Sequence, residues 1–279
     1  MNDPEFLPEL FVPSRANQCC TQSGMDSIEL CKDSDYFLAY PHTVEYNYNS
    51  RGFRDSEWPE NLLNVIWCIG DSYTLGLGSP ITHTWPSILQ QRTGCRTINV
   101  SMDGASNNWI ARIASSVLEQ LPTATIVVHW SFLHRRELDI DSARQSKFQR
   151  FYNTVRDPDW PDCDSVHELA KLPIAIQTEI MQIHKWTGIV HSDDRVIHYV
   201  RSNDQQDIHN TDKCIQQLSD RVIHSAIPNW APPGVKLNFD HVILTQQLDR
   251  ARDGHHYDIL TSNALVDQLI PVLTQRAID

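Results

Sequence analysis

No run in this sequence approaches the ~18 consecutive apolar residues needed to cross a bilayer. Its start, Met1-Asn-Asp-Pro-Glu-Phe6, has neither the basic opening nor the apolar centre of a secretory signal. The expectation is a soluble chain with no membrane span, in a cytoplasmic or otherwise reducing compartment. Positive charge is scarce: 23 Lys and Arg stand against 35 Asp and Glu, for a net charge of −12. Such a surface repels phosphate backbones, which argues against a nucleic-acid partner, and the pair Arg135-Arg136 is too short to reverse it. The seven cysteines are odd in number and irregularly spaced, so they supply no disulfide framework, zinc knuckle or redox pair. Gly76-Leu-Gly78 lacks the third glycine of a dinucleotide loop, and no Gly-Lys-Ser/Thr phosphate cradle occurs. Neighbouring ring nitrogens such as those of His255 and His256 rarely converge on one ion, so no metal and no cofactor are expected.

What the sequence does have is 41% hydrophobic residues over 279 positions, enough for one sizeable domain with extensions. Residues 1–60 are rich in Pro, Asn, Asp, Ser and Tyr, show no sustained period, and read as an N-terminal extension. From Val65 to Ile69 a short, β-branched apolar run stopped by Gly70 predicts a buried strand. Thr84 then caps a short helix with Pro86 in its first turn, ending at Gly94. A second strand is predicted at Thr97–Val100. A helix follows from about Ala105 to Gln120, with Trp109, Ile113 and Val117 on one face, and a third strand runs from Thr125 to Trp130. Alternating strands and helices predict a three-layer α/β/α sandwich around a mainly parallel sheet, spanning 61–279. Residues 133 to about 190 break the rhythm and read as an insertion. Arg195–Val200 is a candidate fourth strand, Asp207–Asp220 a helix and Pro228–Gly234 a loop. A last helix begins near Thr261 or Ser262, with Pro271 expected to bend it.

In open parallel sheets, ligands bind where the chain leaves the strands at their C-terminal ends. Ser72 falls there, directly after the first strand. A serine hydroxyl needs a base to take its proton, and the base needs a third group to fix its tautomer. Asp253-Gly-His-His256 offers an Asp three residues before a His, next to the final helix. The other such pair, Asp164-Ser-Val-His167, opens a helical pattern in which Asp164 is better read as an N-cap.

These residues resemble the SGNH, or GDSL, hydrolase superfamily over about 60–279. Gly70-Asp-Ser-Tyr-Thr74 matches the block that carries the nucleophile. Asn99-Val-Ser-Met-Asp-Gly104-Ala-Ser-Asn107 resembles the block whose glycine donates an N–H to the oxyanion. Asp253 and His256 resemble the final Asp-x-x-His pair, and Asn49-Ser-Arg-Gly-Phe-Arg54 resembles a segment that often leads into the domain. The resemblance implies a flavodoxin-like fold and a serine hydrolase acting on O-acyl or O-acetyl esters of a small molecule or carbohydrate. Ser72 would be the nucleophile, His256 the base and Asp253 its orienting group, with the N–H groups of Ser72 and Gly104 facing the oxyanion. One block departs: where the family carries Gly-x-Asn-Asp, this chain has His129-Trp-Ser-Phe-Leu-His-Arg-Arg-Glu137, without the Asn. Ser131, Asn107 and Arg135 are the candidate replacements for that donor. Two alternatives stay open: a catalytically weak or inactive glycan-binding or particle-associated module, and an acyltransferase using the same serine.

Overall fold

The structure is a computed structural model that describes residues 7, 10–133, 135–138, 189–190, 196–199, 204–228 and 241–276. Most of the insertion expected at 133–190, the Asp164–His167 pair and most of the 228–234 loop lie outside the described residues.

In chain order the extension holds β1 (Cys19–Cys20), α1 (Ile28–Cys31), α2 (Asp35–Ala39) and β2 (Tyr46–Asn47). The domain then runs β3 (Val65–Gly70), α3 (Ser72–Leu75), α4 (Trp85–Thr93), β4 (Arg96–Ser101), α5 (Asn107–Gln120) and β5 (Thr125–Trp130). After these come β6 (Arg135–Leu138), β7 (Ile189–Val190), β8 (Val196–Tyr199), α6 (Asp204–Leu218), β9 (Ile223–Ala226), β10 (Ile243–Leu244) and α7 (Ile259–Arg276). Five strands form one sheet in the order β10-β9-β5-β3-β4, every pair parallel.

The chain leaves β3 toward β4 on one side and returns past it to β5 on the other. Right-handed crossovers in opposite directions place their helices on opposite faces of a sheet. Accordingly α4 packs with β4 and α7, while α5 packs with β3, β5 and α6, giving three layers. Both faces being covered, every residue of β3 is buried, which explains its unbroken apolar sequence. The crevice at which strand order reverses opens at the C-terminal end of β3.

Local chemistry fixes the boundaries. The Thr84 hydroxyl accepts from Ser87 N–H at the start of α4, and Gly94 closes that helix at φ 71°. Ser106 caps α5, so that helix starts two residues later than its apolar face suggests. The final helix starts at Ile259 and continues through Pro271.

One strand expectation is corrected. Arg195–Val200 does contain a strand, β8, but it pairs antiparallel with β6 and β7 in a separate three-stranded sheet. The fourth parallel strand is β9, Ile223–Ala226, which the sequence pattern did not reveal.

The extension is built into the domain. Leu10, Val12, Phe53 and Trp58 join the main core, and β1 pairs antiparallel with β2. Arg54 is fully buried; its guanidinium donates to the carbonyls of Glu45, Leu75, Gly76 and Ser79 and stacks over the Tyr46 ring at 4.3 Å. One side chain thus satisfies the carbonyls that α3 leaves open where it ends.

Candidate active site

The turn after β3 places Ser72 at the first position of α3. Asp71 is the N-cap: its Oδ1 accepts from Tyr73 N–H at 2.9 Å, and its Oδ2 accepts from the Ser131 hydroxyl at 2.7 Å. That carboxylate holds the loop. Gly70 is required by space, because a Cβ there would lie 2.1 Å from Thr74 Oγ1.

Ser72 and His256, 184 positions apart, meet with Oγ 2.8 Å from Nε2. His256 Nδ1 lies 2.5 Å from Asp253 Oδ2, and the other Asp253 oxygen accepts from the N–H groups of His255 and His256 at 2.9 and 3.0 Å. A proton on Nδ1 facing the carboxylate leaves the Nε2 lone pair to receive the serine proton. Ser72 is 1% exposed and His256 2% exposed, so the three groups interact in a medium that screens poorly.

Burial alone would lower the His256 pKa, but the charge and hydrogen bond of Asp253, followed by the charges of Asp103 and Asp71, raise it above its ordinary 6.5. Burial alone would raise the Asp253 pKa. The charge of His256, its hydrogen bond and the two amides outweigh burial and lower it. Both shifts favour the charged pair that exists once the imidazole holds the serine proton.

Backbone contacts explain why these distant segments coincide. Arg252 N–H donates to Gly78 O at 2.9 Å, and Ala251 N–H donates to His256 O at 2.7 Å, closing the 251–256 turn against the loop that follows α3. Gly78, at φ 76°, has room for no side chain: a Cβ would sit 3.1 Å from Asp253 N. Tyr73 lies against the His256 ring, with centroids 4.5 Å apart. Tyr257 donates to His129 Nε2 at 3.1 Å, and His129 Nδ1 faces the Ser225 hydroxyl at 2.9 Å. Burial pushes the His129 pKa down to about 3, so this ring is a neutral brace beneath the site.

Gly104 adopts φ 75° in the turn after β4. Met102 N–H donates to Gly70 O and Ala105 N–H to Met102 O, whereas the N–H groups of Ser72 and Gly104 have no acceptor among the described residues. Ser131 and Asn107 are buried together: Ser131 N–H donates to Asn107 Oδ1 at 2.8 Å, and the Asn107 amide donates to Ser131 O and Thr211 Oγ1. The Ser131 hydroxyl is directed at Asp71. Arg135 lies in β6, and its side chain is outside the described part.

Three residues not singled out from the sequence support the site. Asp26 and Tyr46 of the extension hydrogen-bond each other, Asp26 pairs with Arg252, and Gly78 N–H donates to the Tyr46 hydroxyl. Only the adjacency of Arg252 to Asp253 hinted at this. Among the described residues no group of three or more His, Cys, Asp or Glu side chains gathers as a metal site.

No family model and no curated protein matches the sequence. Similar solved structures include a member of the lipolytic protein G-D-S-L family from Veillonella parvula, at 12% identity and TM-score 0.30, covering 76% of this chain and 74% of that one. Another is the psychrotrophic esterase EstA from Pseudoalteromonas sp., at 11% identity and TM-score 0.38, covering 77% of this chain and all 100% of that one. A third is esterase AlinE4, at 14% identity and TM-score 0.30, covering 66% and 67%.

Proposed function

We propose that this chain is a serine esterase that cleaves O-acyl or O-acetyl esters of a small molecule or carbohydrate. The observation that carries the reading is the chain of contacts from Ser72 Oγ to His256 Nε2 at 2.8 Å and from His256 Nδ1 to Asp253 Oδ2 at 2.5 Å.

In this reading Ser72 Oγ attacks the ester carbonyl as its proton passes to His256 Nε2, and Asp253 stabilises the imidazolium. The carbonyl oxygen, now carrying the charge, faces the N–H groups of Ser72 and Gly104. His256 returns the proton to the departing alcohol. Water, deprotonated by the same imidazole, then releases the acid from Ser72.

A missing oxyanion donor costs ~10²–10³ in turnover, so two backbone donors imply a slow enzyme. The engagement of Ser131 and Asn107 with other partners favours, as a second reading, a glycan-binding or particle-associated module that keeps the fold with little catalysis. Purified protein should release p-nitrophenol from its acetate ester and react with a fluorophosphonate probe, and Ser72→Ala should abolish both while unfolding at the wild-type midpoint. Equal rates in wild type and variant overturn the esterase, and a serine inert to the probe favours the module.

A further inference from the structure

Among the described residues, the other buried aspartates near the site are all saturated. Asp26 is held by Arg252 and Tyr46, and Asp71 by Tyr73 N–H and Ser131. Asp253 is held by His256 and two amides, and Asp258 by Tyr40 and His83. Asp103 is the exception. It is 5% exposed, yet its carboxylate makes no hydrogen bond or ion pair with any described residue. Among the described residues the fully enclosed side-chain atoms without a partner are Arg54 Nε, Trp58 Nε1 and Trp67 Nε1, so the Asp103 oxygens keep contact with solvent and are open to a counter-charge from outside the chain.

Its position suggests the source of that charge. Asp103 immediately precedes Gly104, whose free N–H faces the oxyanion in the reading above. Its charge is felt at His256, after burial and Asp253 have had their larger effects. On one side the carboxylate meets the extension at Gly24, where φ is 54° and a Cβ would fall 2.3 Å from Oδ2. That glycine sits in the tight turn Ser23–Asp26, closed by paired backbone hydrogen bonds between its end residues. The turn thus walls the carboxylate with backbone and brings it no counter-charge. For a neutral ester, this anion repels the oxyanion that forms beside it. A cation carried by the substrate cancels that repulsion, pairs the Asp103 carboxylate and is drawn in by the net charge of −12.

We propose that Asp103 and the Ser23–Asp26 turn form a subsite for a protonated amine or quaternary ammonium, and that esters bearing such a group near the scissile bond are the preferred substrates. The proposal rests on the esterase reading of Ser72.

Two isosteric pairs test it by kcat/KM. On the acyl side, β-alanine ethyl ester is compared with ethyl butanoate; on the alcohol side, acetylcholine is compared with 3,3-dimethylbutyl acetate. Wild type should favour the cation about tenfold or more in at least one pair, the scale of an interaction with a charged group. Asp103→Asn should bring that ratio near one while leaving the neutral ester as fast or faster. Ratios near one in wild type for both pairs overturn the subsite even if the variant fails to fold. An equal loss on charged and neutral esters in the variant also overturns it, because Asp103 would then act only through His256. Shift changes on NMR titration with propylammonium, against 1-propanol, ask the same question without turnover. Asp103-dependent ammonium binding in a protein that hydrolyses none of the esters supports the subsite and overturns the esterase. Hydrolysis without preference does the reverse.

Discussion

Arg252 and Asp26, 226 positions apart, are joined by two parallel hydrogen bonds, Nε to Oδ1 at 2.8 Å and Nη2 to Oδ2 at 2.7 Å. Asp26 is 0% exposed, and Arg252 also donates to Thr21 O and lies over the Phe37 ring. The extension therefore grips the residue directly before Asp253. Further along, Tyr36 donates to Arg250 O, and Tyr40 donates to Asp258 Oδ2. Arg252→Met would leave a buried carboxylate with only the Tyr46 hydroxyl. Breaking a buried pair on one side costs about 3–5 kcal/mol, read as a lower midpoint in urea. At temperatures where the variant is still folded, kcat on p-nitrophenyl acetate should fall more than KM rises. An unchanged midpoint would mean that the pair contributes nothing.

Because Asp253 holds the His256 pKa above 6.5, the imidazole stays protonated to a higher pH than a free one. In the esterase reading the imidazole must be neutral to accept the serine proton, so kcat/KM should rise with pH through a midpoint above 6.5. Asp253→Asn removes the charge that counters burial. The midpoint should then move down while kcat falls about 10⁴-fold, the cost of losing the orienting carboxylate. A pH profile that does not move in the variant would remove Asp253 from the relay.

Acid should weaken the fold through two other histidines. Burial lowers His129 to about 3, and burial lowers His224 to about 4. Both take up protons more readily unfolded, so the stability they contribute is full above about 6.5 and is lost as pH falls toward their folded values. At pH 5 the loss is about 2 kcal/mol for each. The Asp253–His256 pair has a different window. The contribution of His256 is full below 6.5 and is lost as pH rises through its raised value; that of Asp253 is full above 3.8 and is lost as pH falls through its lowered one. Between 3.8 and 6.5 the pair stabilises fully while His129 and His224 do not. Unfolding free energy should therefore drop from pH 7 to pH 4.5, and His129→Gln should flatten the slope by the share of one proton.

The β3 strand was legible because it is buried on both faces and so apolar throughout, and the first helices because their caps are local. The meeting of Ser72, His256 and Asp253 was legible because Ser72 follows β3 directly and Asp253 lies three residues from His256, before a helix with a clear apolar stripe. The β9 strand was not, since half of its four residues are polar: His224 stacks on Trp130, with centroids 5.8 Å apart, and Ser225 donates to Val128 O. Such polar groups are buried by partners on β5, nearly a hundred positions away, which no periodicity encodes. The Asp26–Arg252 clamp was hidden for the same reason. The mutual hydrogen bonds of Asn107 and Ser131 depend on how closely α5 approaches the end of β5.

Gly70→Ala tests whether the position of Ser72 depends on contact beneath it. The added methyl would lie 2.1 Å from Thr74 Oγ1, 2.8 Å from Thr74 Cβ and 3.1 Å from the His129 carbonyl oxygen. Threonine is stiff at χ1, and its hydroxyl oxygen already accepts from Trp85 Nε1 at 3.2 Å, so rotation does not relieve the contact cheaply. The His129 carbonyl belongs to the neighbouring strand and is fixed by the sheet. What can yield is α3, which carries Ser72 at its first position and is held at its far end by Arg54. Overpacking of this kind costs about 1–3 kcal/mol, small enough for the variant to fold. A displacement of Ser72 Oγ approaching 1 Å costs about 10²-fold in rate, so kcat should fall far more than stability does. Fluorophosphonate labelling should slow in parallel with kcat. Full activity at a lowered melting temperature would mean that α3 absorbs the methyl without moving the serine.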